Sequence, residues 1–199
     1  MSILPRSFYL RSDVVQLAKD LLGKYLITQF DGRLTSGIIF ETEAYEGVTD
    51  RASHAYGNRR TPRTEVMYSI GGTAYVYLCY GVHSLFNIVT NREGIPHAIL
   101  IRGIVPDEGT GIMLQRTGKA FLTKNFGIGP GKVSKALGIH YSQTGLELTK
   151  KPLKKNDNGI WLEDRGFVME PGKIVVTTRI GVQYSREDAT RLNRFVLSV

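Results

Sequence analysis

The chain has 199 residues, 42% of them hydrophobic and 22% charged, enough for one domain with a real core and too short for two. Cys79 is the only cysteine, which excludes a disulfide framework and a cysteine-built zinc site and points to a reducing compartment. Lys and Arg number 26 against 18 Asp and Glu, a net charge of +8 that suits a polyanionic partner such as nucleic acid, although plain surface charge would look the same.

The opening residues carry no long apolar run, so no signal peptide is read there. No later stretch reaches the roughly 20 apolar residues of a membrane span. Ser12 or Asp13 can cap a helix running to about Leu22, with Val14, Leu17, Ala18, Leu21 and Leu22 on one face and Gly23 as the stop. Residues 25–30 read as a strand, Asp31-Gly32 as a hairpin turn and residues 33–45 as a long return strand. Residues 46–69 are polar and rich in Arg, Gly and Thr; a loop that long is usually functional or disordered.

Residues 73–80 (TAYVYLCY) form a strongly β-prone strand, residues 81–83 a tip and residues 84–90 the return. Residues 98–104 make another apolar strand. Short helices are expected near 107–116 and 131–137, the second ended by Gly138. Residues 160–162, 174–180 and 195–197 complete the strands. Hairpin-connected strands without a repeating βαβ order predict one α+β domain over residues 1–199, built on a curved antiparallel sheet.

Four constellations could carry chemistry. Alternation puts Glu41, Glu43 and Tyr45 on one face of the long strand. A carboxylate beside an aromatic ring in a pocket would be a stronger base than a solvated one, although spacing alone favours a solvated face. The basic loop holds Arg51, Arg59, Arg60 and Arg63 with His54 and Tyr56 between, suited to phosphate oxygens or simply to solvent. Tyr75 and Tyr77 point one way, and Tyr80 sits just before Gly81, where a ring at a hairpin tip could wedge between base steps. Core packing is the commoner fate of such tyrosines. Gly129-Pro130-Gly131-Lys132 fails as a phosphate loop because Phe126 and Val133 occupy the positions that need Gly and Ser or Thr. It could still offer amides and Lys132 to a phosphate. His54, His83, His97 and His140 lack metal-ligand spacing, and no dinucleotide fingerprint is present. The lysines at 150, 151, 154 and 155 read as a solvated turn.

In order, the chain carries ETEAY, His54, Arg59 with Thr61-Pro62-Arg63, Gly72-Thr73, YVYLCYG, Asn87-Ile88, Leu100-Ile101-Arg102 and GPGK, between FYLRSDVVQLAKDLLGKYL and RIGV…RF. This ordered set resembles the alkyladenine (3-methyladenine) DNA glycosylase family over residues 8–197. The resemblance implies a monofunctional glycosylase of base excision repair that flips alkylated purines, such as 3-methyladenine and 7-methylguanine, out of double-stranded DNA. Some members of such a family also accept hypoxanthine and ethenoadenine. It implies Glu43 as the general base, with Arg102 ordering the water and contacting the sugar-phosphate. Tyr45 and Tyr77 would sandwich the base, His54 would form a wall, and Asn87 would screen out guanine. Tyr80 would intercalate from a protruding hairpin, and Arg59, Thr61 and Lys132 would touch the DNA backbone. It implies no metal or other cofactor, no membrane, a monomer, and a place in the cytoplasm or on a prokaryotic nucleoid. A non-catalytic nucleic-acid-binding module on the same scaffold is the alternative. Two departures from the family pattern are Leu192-Asn193, where a proline is usual, and the glycine-rich stretch 107–111.

Overall fold

The computed structural model describes residues 2–167 and 172–198; the remaining positions of the expected 1–199 domain lie outside it. Strands β1 (Ser2–Ile3), β2 (Tyr25–Phe30), β3 (Arg33–Tyr45), β4 (Thr73–Cys79), β5 (His83–Thr90), β6 (His97–Pro106), β7 (Gly159–Asp164), β8 (Ile174–Thr177) and β9 (Arg194–Leu197) form one sheet. Its order is β1-β7-β2-β3-β6-β5-β4, with β9 added to β3 and β8 to β9, and every pair is antiparallel. Four α-helices among the described residues, α1 (Arg6–Tyr9), α2 (Val14–Asp20), α3 (Thr110–Thr117) and α4 (Pro130–Leu137), complete an α+β domain.

Local chemistry accounts for most of these elements. The Asp13 carboxylate accepts from Gln16 N at 2.8 Å and caps α2; an N-cap of this kind is worth about 1 kcal/mol. Asp31 and Gly32, both at positive φ, link Phe30 to Arg33 in the two-residue turn read from the sequence. The glycine-rich start of α3 also has a reason. A Cβ at Gly109 would lie 2.2 Å from the Leu34 carbonyl oxygen, so only glycine lets the loop pass β3.

Alternation divides the sheet into two faces. Ala44, Ala74, Val76, Phe86, Ile88, Ile99 and Ile101 belong to the main core, packed under α2 and α4. On the other face Tyr75, Val89 and Ala98 form a smaller core with Ala55, Met67 and Tyr68. The 46–69 stretch supplies that cover, with three 3-10 turns (Gly47–Thr49, Tyr56–Asn58 and Glu65–Tyr68) inside it.

Some boundaries differ from the sequence reading. The tail strand read over 174–180 ends at Thr177, and Arg179 is buried instead as a side-chain anchor. His83 belongs to β5 and not to the tip. Strand β1, helix α1 and the 3-10 segment Gln183–Thr190 had no expected counterpart.

The register between β3 and β6 contains two compensating irregularities. Ile39 pairs Ile104, Glu41 pairs Gly103 and Thr42 pairs Ile101, so Phe40 and Arg102 are the residues left out of the pairing. Bulges of this type re-aim a side chain. A Cβ at Gly103 would meet the Phe40 ring at 2.4 Å, so any larger residue beside the bulge would have to displace that ring. Past it, β3 exchanges β2 for β9 as its second neighbour.

Candidate active site

The face opposite the main core holds a cavity of about 190 Å³ whose wall includes Tyr45, His54, Tyr75, Tyr77, Asn87 and Arg102. Side-chain alternation on β3, β4, β5 and β6 brings these residues together, and residues 180–182 of the tail close one side.

Glu43 is completely buried and stands directly behind this wall. Its Oε1 accepts from the Ile180 amide at 2.8 Å and lies 3.3 Å from Arg102 Nε; its Oε2 accepts from the Tyr45 hydroxyl at 2.8 Å. Burial raises its pKa above the ordinary carboxylate range and Glu41 adds to this, while Arg102, the Ile180 amide and Tyr45 pull it back. The carboxylate does not itself line the cavity, whereas all three of its partners do. Arg102 Nε donates to Glu41 Oε1 at 3.0 Å, and its Nη groups carry no hydrogen bond among the described residues. The solvated-face reading of Glu41 and Glu43 therefore does not hold, since Glu41 is also buried.

Tyr45 carries the Arg179 guanidinium over its ring, 4.7 Å from the centroid. Arg179 is held in turn by a two-pronged, fully buried ion pair with Asp50 and by the carbonyls of Ala44 and Asp188. No ring contact joins Tyr45 to Tyr77 among the described residues, although both line the cavity. His54 stands edge-on to Tyr77 with centroids 4.7 Å apart, and its Nδ1 lies 2.8 Å from the Tyr75 hydroxyl. Burial, helped by Arg63 and Arg59, lowers the His54 pKa to about 4, so the ring is neutral at pH 7. Burial pushes the Tyr75 hydroxyl up to about 12. Asn87 uses both amide hydrogens on the carbonyls of Tyr75 and Leu85, at 3.2 Å each, which fixes its orientation at the wall.

Tyr80 is 95% exposed at the β4–β5 turn and has φ +50°, followed by Gly81 at +70°. An aromatic residue in that region is uncommon and costs backbone strain. Its ring also borders the cavity. Arg59, Thr61, Arg63 and Arg51 line a polar hollow of about 480 Å³ that shares Ser53, His54 and Tyr184 with the first cavity. Lys132 does not reach either hollow. It is exposed near the start of α4, where a Cβ on Gly131 would come 3.2 Å from the His83 ring at the base of the hairpin.

Three participants carry no signal in the sequence pattern. Tyr75 shares a face with Tyr77, but nothing in its strand marks it as part of the wall. Arg179 and Ile180 lie in the RIGV stretch, which has no chemical signature of its own. No group of three or more His, Cys, Asp or Glu suited to a metal ion occurs among the described residues. No helix among the described residues is long and apolar enough to cross a membrane.

Comparison with known proteins identifies the family. Residues 7–199 match the family model described as methylpurine-DNA glycosylase. A protein of Chlamydia felis named "Putative 3-methyladenine DNA glycosylase" is 45% identical over 202 residues, covering 99% of this chain and 97% of its own length. Proteins of the same name from Chlamydia pneumoniae and Clostridium acetobutylicum are 44% and 40% identical, each covering 98% of this chain and 95% and 93% of their own. The class is thus a monofunctional DNA glycosylase of base excision repair. The chain belongs to the methylpurine-DNA glycosylase family.

Proposed function

We propose that the protein hydrolyses the N-glycosidic bond of alkylated purines, 3-methyladenine and 7-methylguanine among them, after rotating the nucleotide out of duplex DNA. The observation that carries this reading is the position of Glu43. Its three hydrogen-bonding or ionic partners, Tyr45, Arg102 and Ile180, are all wall residues of the aromatic cavity. A carboxylate one layer behind the wall can place negative charge under a reacting sugar, and it can take a proton from water when the tail segment at Ile180 yields.

The other assignments follow from the wall. Tyr45 and Tyr77 offer ring faces to a base, and a cationic alkylpurine gains about 0.5–2 kcal/mol from such a face. Neutral His54 and fixed Asn87 shape the edge of the slot. The free Nη groups of Arg102 suit the water and the sugar-phosphate. Tyr80 takes the gap left in the duplex, while Arg59, Thr61 and Lys132 hold the backbone. One lesion in one cavity is compatible with a monomer.

Incubation with alkylated duplex in the presence of chelator tests the proposal. Free methylated base is expected, with the strand left intact. Glu43→Gln should retain binding to the damaged duplex and lose release by about 10³-fold. A binding module without catalysis would release nothing from either protein, and wild-type release by Glu43→Gln would remove Glu43 from the mechanism. The buried charge speaks against the binding module, since a desolvated carboxylate is costly to keep without a use.

A further inference from the structure

Glu41 is a buried carboxylate beside Glu43 to which the reaction gives no task. It is 3% exposed, two residues from Glu43 on the same face of β3. Its Oε1 accepts from two arginines at once, Arg102 Nε at 3.0 Å and Arg194 Nε at 2.7 Å. Arg102 comes from the bulge on β6, and Arg194 sits opposite Glu43 on β9. Two carboxylates thus compete for the Nε edge of Arg102, and Glu41 holds the shorter contact, 3.0 against 3.3 Å.

We propose that Glu41 is a positioning residue that draws Arg102 off Glu43, so that the Nη groups of Arg102 stay turned toward the cavity and the Glu43 carboxylate stays under-compensated and basic. The proposal rests on Glu43 being the base of the reaction described above. Arg194 is the counterweight: by sharing Glu41, it limits how far Glu41 can pull Arg102 away.

Charge balance makes the proposal directional. The groups facing Glu43 are Glu41 and Tyr45 on β3, Arg102 on β6, Arg194 on β9, and the Ile180 amide, Arg179 and Tyr184 from the tail. Removing the negative charge of Glu41 takes a like charge from beside Glu43 and releases Arg102 toward it. Both effects favour the ionised Glu43 and lower its pKa. Removing Arg194 takes away a cation and leaves Glu41 free to claim Arg102, which raises the pKa.

The test is a ¹³C titration of the Glu43 carboxyl in the full chain, assigned by its disappearance in Glu43→Gln, together with the pH profile of single-turnover release of 7-methylguanine from duplex DNA. Glu41→Gln should move the Glu43 midpoint down by about one pH unit or more. Arg194→Gln should move it up, and Glu41→Asp should restore most of the wild-type value. The acid limb of base release should move the same way in each variant. A uniform fall in rate with an unmoved midpoint, or shifts of the same sign in Glu41→Gln and Arg194→Gln, would overturn the proposal. If Glu41→Gln fails to fold, the upward shift in Arg194→Gln and the response of Glu41→Asp still decide it. Opposed midpoint shifts with no base release from any protein would leave the positioning intact and sink the catalytic reading instead.

Discussion

The Tyr45 hydroxyl donates to Glu43 Oε2 at 2.8 Å along a single strand, two residues apart. The hydrogen bond stabilises the ionised carboxylate and opposes the rise that burial imposes on it. Tyr45→Phe removes that bond and keeps the ring. The Glu43 pKa should then rise further, and a base must be deprotonated to act, so the acid limb of release should move to higher pH. The rate at high pH should change little. A pH–rate profile of the variant checks this, and an acid limb displaced downward would contradict it.

Tyr80 has almost no contact to lose and should matter only on duplex. Tyr80→Ala should slow release from double-stranded substrate by about tenfold or more, given that unstacking and unpairing cost a few kcal/mol. On single strands bearing the same lesion the two proteins should differ much less. Equal losses on both substrates would exclude a wedge.

Alternation made the two faces of the sheet legible, because β3 through β6 obey it over nearly their whole length. The Asp31-Gly32 turn was legible for a different local reason, two residue types that accept positive φ. The bulge at Phe40 and Arg102 was not, since it depends on the fit of Phe40 over Gly103 across two strands. Arg102 entered the site through its place in an ordered set of motifs. Its aim at Glu41 and Glu43 is a product of the bulge. The Arg179–Asp50 pair spans 129 residues, and no local pattern announces such a contact. The end of β8 at Thr177 has the same origin, because the chain must leave the sheet for Arg179 to reach Asp50.

That ion pair should be the most costly polar contact to break. Arg179→Met leaves the Asp50 carboxylate buried without its partner and should destabilise the protein by about 3–5 kcal/mol. The melting temperature should drop by roughly 10 °C, from about 2–4 °C per kcal/mol at this size. The segment carrying Ile180 should also loosen, so release should fall before unfolding begins. Calorimetry beside a rate measured well below the transition separates the two effects, and an unchanged melting temperature would refute the first.

Arg59 and Lys132 should act through charge alone. Alanine at either position should make the plot of log K against log salt shallower by about one unit on duplex DNA. Thr61→Ala should weaken binding without changing that slope. The check is affinity at several salt concentrations on undamaged and damaged duplex, and an unaltered slope in Arg59→Ala would move it off the backbone.

Two of the groups around Glu43 come from a distant part of the chain. Ile180 lies 137 residues beyond Glu43, and Arg194 lies 153 beyond Glu41. A ribosome therefore makes Glu43 long before the tail that closes one side of the slot and supplies the Ile180 amide. A nascent or nicked protein lacking that tail would have an open slot, an Asp50 without Arg179 and no β9 beside β3, so recognition and chemistry are completed together, once the tail has been made.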